Sequence, residues 1–166
     1  MIRSVVLVGL AISCVVPCTA GEAENVQVVT SMIEAVNQRD FDALETYISA
    51  NVVRHSAATP GVKVSNLEEF VEFLKGDLAV CPDAQQEVEI IFGSGDKVAV
   101  RATYVGTQTG AMGPFPPSGK GLELPFMGIL RLEEGKIAEM WVEWDNMNAL
   151  TQLGHFPIPS GDEELQ

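Results

Sequence analysis

The second half of the chain is a succession of long β-patterned runs separated by glycine turns, and this constrains the fold more than any other feature. Glu87–Phe92 leads into the turn Gly93-Ser94-Gly95-Asp96, and Lys97–Thr107 follows. The loop around Met112–Gly121 carries three prolines and three glycines, so it cannot be a central strand, because proline has no N–H for the ladder. Leu122–Leu132, the turn Glu133-Glu134-Gly135 and Lys136–Asp145 make a second hairpin. Strands joined by such tight turns pair antiparallel.

The first half reads as helix. Val26, Val29, Met32, Ile33 and Val36 fall at helical spacing. Asp40 is placed to cap a short second helix in which Leu44, Tyr47 and Ile48 share a face. Asn51–His55 reads as a short strand. Ser65 with Glu68 makes a capping box for a helix carrying Leu67, Phe70, Val71 and Leu74, which ends at Cys81-Pro82-Asp83. Asn146–Leu153 is a short closing helix. Helices followed by an antiparallel meander give an α+β class, with the sheet curling around the helices.

With 166 residues, 46% of them hydrophobic, one domain with a substantial core is expected. The net charge of −13 repels phosphate backbones, so neither nucleic-acid binding nor docking on an anionic membrane is expected. Residues 1–20 have the make-up of an export signal. Arg3 gives a positive start, Val5–Val16 an apolar run too short to span a bilayer, and Cys18-Thr19-Ala20 a cleavage site. The protein is therefore expected to be periplasmic or secreted, with lipidation at Cys14 and membrane tethering as the alternative. Cleavage leaves Cys81 alone, so the exported domain must be stable through its core, with Cys81 packed as a small hydrophobe.

Candidate chemistry gathers near the strand ends. Asp145 can cap the closing helix or, in an apolar pocket, act as a proton-transfer group. Trp141 shares its strand parity, as do Ile137, Glu139 and Glu143, while Met140, Val142 and Trp144 take the other face. His55 can move protons near neutral pH or make a structural hydrogen bond. Arg101 can neutralise an enolate or carboxylate, or pair with an acid on the neighbouring strand. Tyr104 and Gln108 offer neutral hydrogen bonds. The two histidines are too far apart in sequence for metal-ligand spacing, and no phosphate or dinucleotide loop occurs. No metal and no cofactor are expected.

Gly95-Asp96-Lys97-Val98-Ala99-Val100-Arg101, Gly106-Thr107-Gln108-Thr109-Gly110, Pro116-Pro117-Ser118-Gly119-Lys120, Glu134–Trp141 and Trp144-Asp145-Asn146 followed by Gln152-Leu153-Gly154 form an ordered set. Together with Ala35-Val36-Asn37, Arg54-His55 and Cys81-Pro82-Asp83, this set resembles the SnoaL-like polyketide (ester) cyclase family over residues 25–154. The resemblance implies a nuclear transport factor 2-like cone over residues 21–166, a strongly bent antiparallel sheet around helices, and a homodimer. It further implies acid–base catalysis without a cofactor on a small hydrophobic carbonyl compound. Asp145 and His55 are then the catalytic candidates. Arg101, Tyr104, Gln108, Phe126, Trp141 and Trp144 are the substrate-binding candidates. Many members have Gly-Thr-His where this chain has Gly-Thr-Gln, and Gln108 cannot carry a proton. A non-catalytic exported domain that binds a small hydrophobic ligand is the alternative.

Overall fold

The computed structural model describes residues 21–156, so the expected export signal and the alternative of lipidation at Cys14 fall outside the described residues. Helix α1 (Glu22–Gln38) buries Val29, Met32, Ile33 and Val36 along one face, as their spacing requires. It stops at Arg39, whose backbone is left-handed at φ 64°. The guanidinium there donates to the carbonyls of Val36, Asn37, Pro82 and Ala84, and such tertiary contacts hold a non-glycine residue in that conformation. The side-chain amide of Asn37, still within α1, pairs with a strand backbone as a neighbouring strand would. Its Nδ2 donates to Gln86 O at 2.9 Å and its Oδ1 accepts from Gln86 N at 2.8 Å.

A single turn of helix, α2 (Leu44–Tyr47), leads directly into β1 (Ile48–His55). Ile48, expected on the helix, instead opens the strand opposite Ile137, and both side chains are buried. Helix α3 (Leu67–Val80) begins at Asn66, which accepts from Glu69 N, while the Glu69 carboxylate accepts from Ser65 N. The capping box therefore lies one residue beyond the expected Ser65 and Glu68, because the asparagine side chain reaches the first-turn N–H.

Strands β2 (Gln85–Ser94), β3 (Lys97–Thr107), β4 (Gly121–Glu133) and β5 (Lys136–Trp144) form the expected antiparallel meander. The sheet order is β1-β5-β4-β3-β2, and β1 joins β5 in parallel. Only tight turns force the antiparallel sense, and β1 meets β5 after the whole meander has intervened, so its direction is not so constrained. Bulges at Val88/Ile90 and Arg131/Leu132 bend the sheet. The second bulge also breaks the expected parity of β5: Ile137 is buried, while Glu139 faces outward opposite Arg131. Helices α1 and α3 fill the concave side through Val29, Ile33, Val36, Phe70 and Leu74 against Val98, Val100, Leu130 and Met140. Helix α4 (Asn146–Leu153) covers Leu122 and Leu124.

Candidate functional site

The concave side between α3 and the sheet collects the groups with the most chemical potential. Tyr104 on β3, Phe126 on β4 and Trp144 on β5 all lie on this face, yet each is only half-buried. Their partial exposure leaves solvent-open aromatic surface on the concave side, here called the recess. Phe73 from α3 forms the opposite wall. Between the rings sits Arg54, buried at 7% exposure, its guanidinium carbon 4.4 Å from the Phe73 centroid and 5.6 Å from that of Trp144. Burial lowers the Arg54 pKa, against the opposing charges of Glu143 and Asp77.

Asp77 points inward from α3, and burial raises the pKa of its carboxyl despite the nearby Tyr104 hydroxyl and the charges of Arg39 and Arg54. Tyr104 is pushed well above the ordinary phenol range, first by burial and then by the Asp77 charge. Its buried hydroxyl has no well-aligned hydrogen-bond partner. A cavity of about 10 Å³ lies beside it, lined by Asp77, Tyr104, Arg39 and Asn37 among others. That is room for about one water molecule. Cys81 is buried and burial raises its thiol pKa, so it stays protonated and packs as the expected small hydrophobe.

The glycine-rich motif after β3 is a clamp. A Cβ on Gly110 would lie 1.9 Å from Ala79 O, so only glycine lets this loop reach the end of α3. There Thr109 N and Gly110 N both donate to Val80 O. Thr107 donates from its N–H and its hydroxyl to the Asp83 carboxylate at 2.7 and 2.8 Å. Gln108 is fully buried. Its amide donates to Gly110 O and Pro116 O, and its oxygen meets His155 Nε2 at 2.8 Å. It pins the loop 108–120 to the turn that follows α4.

The closing motif is structural in the same way. Asp145 is exposed and caps α4, its Oδ1 accepting from Met147 N at 2.9 Å and Asn148 N at 3.1 Å. Trp144 Nε1 donates to Asn146 Oδ1, and Asn146 Nδ2 to Ala58 O. Beyond the end of β5 the edge of β4 is unpaired, and Gln152 supplies the missing bonds: its Oε1 accepts from Glu123 N and its Nε2 donates to Glu123 O, both at 2.9 Å. Gly154 ends the helix with φ 75°.

The convex face takes the remaining candidates. His55 stacks on Trp141 with centroids 5.3 Å apart, and its Nε2 lies 2.9 Å from Glu139 Oε1. Glu139 also accepts from Arg131 Nε, and its pKa is held low by His55 and then Arg131. Arg101 pairs with Glu89 from β2, the commoner of its two expected roles. Ladder partners place Phe92, Ala99, Ile129, Trp141 and His55 in one row across all five strands. Phe92 and Ile129 there are 57% and 47% exposed.

Tyr104, Phe126 and Trp144 thus come together in the recess, whereas His55, Arg101 and Trp141 lie on the opposite side of the sheet and Asp145 and Gln108 are committed to structure. The inward side chains at the end of β5 are Met140, Val142 and Trp144, so this strand gives the recess no titratable group. Arg54, Phe73 and Asp77 were not among the sequence candidates. Arg54 could have been found by strand alternation, since it must face opposite to His55. Asp77 lies at i+3 from buried Leu74 and i+7 from buried Phe70, a spacing that places a charge on the apolar stripe. Among the described residues no three His, Cys, Asp or Glu side chains are grouped to hold a metal.

A comparison with curated proteins finds no match. Among solved structures, IdmH of Streptomyces antibioticus, a proposed polyketide cyclase, is 27% identical, covering 78% of this chain and 98% of its own, with a TM-score of 0.70. AclR of Streptomyces galilaeus, a proposed hydroxylase, is 28% identical, covering 85% and 87%, with a TM-score of 0.74. A proposed SnoaL-like polyketide cyclase from Jannaschia sp. CCS1 shares the fold at 22% identity, covering 84% and 97%, with a TM-score of 0.74. The profile of SnoaL-like polyketide cyclases matches residues 26–153. With that match spanning most of a bent five-stranded sheet closed over two helices, the chain belongs to the SnoaL-like polyketide cyclase family and has its nuclear transport factor 2-like fold.

Proposed function

We propose that this protein is an acid–base enzyme acting on a small hydrophobic carbonyl compound, with its chemistry in the concave recess rather than at Asp145. The observation that carries this reading is the juxtaposition of the half-buried Asp77 carboxyl with the Tyr104 hydroxyl at one small cavity. A carboxylate with a raised pKa can take a proton from the carbon beside a carbonyl. Tyr104, with its pKa pushed up, keeps its proton and can donate to the oxygen on which charge develops. The half-buried rings of Phe126, Trp144 and Phe73 give the apolar part of the substrate its surface.

The test is deuterium exchange, followed by NMR, at the α-carbon of a panel of apolar ketones and β-keto esters. The wild type is expected to exchange at least one of them, Asp77→Asn to lose the exchange and Tyr104→Phe to slow it. Exchange at the wild-type rate in Asp77→Asn would sink the assignment. One observation favours the alternative of a non-catalytic binder: the inward face of β5 carries no acid. That reading expects a ligand retained by the wild type and by Asp77→Asn alike, with no exchange in either.

Self-association belongs to the same proposal. The apolar row Phe92–Ile129–Trp141 on the convex face is flanked by paired charges, Arg101 with Glu89 and Arg131 with Glu139. A second copy of this face offers a matching apolar row and both signs of charge. Sedimentation is expected to give a dimer that Ile129→Asp converts to monomer; a wild-type monomer at high micromolar concentration would exclude it. Export through residues 1–20 is checked by the N-terminal sequence of the mature protein.

A further inference from the structure

Arg54 is a buried cation with no carboxylate within 4.0 Å among the described residues. The two acids that influence it are otherwise engaged. Glu143 accepts from the backbone N–H groups of Ala57 and Ala58, and Asp77 faces Tyr104. A guanidinium carries five N–H donors in one plane. Among the described residues its one side-chain hydrogen bond is from Nη1 to Thr59 Oγ1 at 3.0 Å. Phe73 and Trp144 pack near its flat faces, which leaves the in-plane donors as the part able to meet a ligand. Two residues along the chain, the Ser56 hydroxyl is buried with no hydrogen-bond partner. A buried guanidinium with in-plane donors to spare, packed between aromatic rings, and an unbonded hydroxyl two residues along the chain are complementary to a carboxylate.

We infer that the recess binds a hydrophobic carboxylic acid, whose carboxylate is held by Arg54 and Ser56 while its apolar body lies against Phe73, Phe126 and Trp144. This rests on the recess being the ligand site, but not on Asp77 acting as a base. Anchoring one end at Arg54 orients the remainder of the molecule along the concave face towards Tyr104. It narrows the substrate class from carbonyl compounds in general to those bearing a free acid, such as keto acids. The anchor also gives specificity: a neutral ester of the same shape would leave the buried guanidinium unpaired.

Isothermal calorimetry with 1-naphthoate and methyl 1-naphthoate tests this on the full domain. The acid is expected to bind about tenfold or more tightly than the ester, the usual worth of a charge-assisted hydrogen bond. Arg54→Met is expected to abolish that preference while leaving ester binding within about threefold, and Ser56→Ala to weaken only the acid. Because Arg54→Met removes a buried charge, its fold is checked by circular dichroism. Arg54→Lys, which keeps the charge and loses the planar fork, is measured beside it and is expected to retain part of the preference. Equal affinities in the wild type, absence of acid binding at millimolar concentration, or a preference that survives both Arg54 variants would each overturn the inference. Arg54-dependent acid binding without α-proton exchange would leave this inference standing and remove the acid–base reading. Asp77-dependent exchange without acid preference would do the reverse.

Discussion

Nε2 of His155 lies 2.8 Å from Oε1 of Gln108, and this contact fixes the orientation of both side chains. The Gln108 amide nitrogen donates to two carbonyls, Gly110 O and Pro116 O, so its oxygen must face the imidazole and His155 must carry its proton on Nε2. The Gln108 side chain is thus a three-way connector between loop 108–120 and the C-terminal turn. Phe115 packs against the same imidazole at 4.9 Å.

Gln108→Leu removes both donors and leaves two loop carbonyls and an imidazole unpaired. It is expected to cost about 1–3 kcal/mol. Gln108→His, able to donate once and accept once, is expected to cost less. Urea denaturation of the three proteins ranks them, and equal midpoints would mean that water replaces the amide without loss.

Gly110→Ala places a methyl 1.9 Å from Ala79 O, so the loop must leave the end of α3. A loss of about 1–3 kcal/mol is expected. Gly121→Ala, where an added Cβ meets nothing within 4 Å, is the control and is expected to change stability by less than about 0.5 kcal/mol. Thermal denaturation of the pair decides whether close approach or chain flexibility demands glycine at 110.

Asp145→Ala loses the cap that accepts from Met147 N and Asn148 N, and about 1 kcal/mol of stability with it. Asp145→Asn keeps an oxygen acceptor and is expected to be nearly neutral. Neither is expected to alter α-proton exchange in the recess. If Asp145→Asn abolishes exchange while the protein melts at the wild-type temperature, Asp145 is the acid–base group after all.

The carboxyl of Asp77 is pushed up by burial, so the folded state holds its proton to higher pH than the unfolded chain does. The unfolded carboxyl titrates near about 4. The stability associated with the neutral form is complete below that pH and declines as the pH rises towards and through the raised folded value. Asp77→Asn cannot ionise. Its melting temperature is therefore expected to gain on the wild type as the pH rises above about 4, with a constant difference below that. Differential scanning calorimetry on both sides of that pH reads the sign directly, and a flat difference would mean that the site does not disfavour the charge.

The elements and their class were legible in the residues alone, because local physics sets them. Periodicity marked α1 and α3, and glycine turns marked the two hairpins. Tyr104, Phe126 and Trp144 stood among six substrate-binding candidates, with nothing in the sequence to separate them from Arg101, Gln108 and Trp141. The use of each remaining polar residue depended on how the elements came together in space. Alternation said that Asp145 and Trp141 share a parity, but not that this parity faces outward, since both faces of β5 carry a tryptophan. The sense of β1 was likewise open, because no tight turn links it to β5. Asp77 and Tyr104 are 27 residues apart in sequence and meet only because the bent sheet carries β3 beneath α3. Burial, which raises the Asp77 pKa and lowers that of Arg54, is a property of that enclosure and is not encoded at either residue alone.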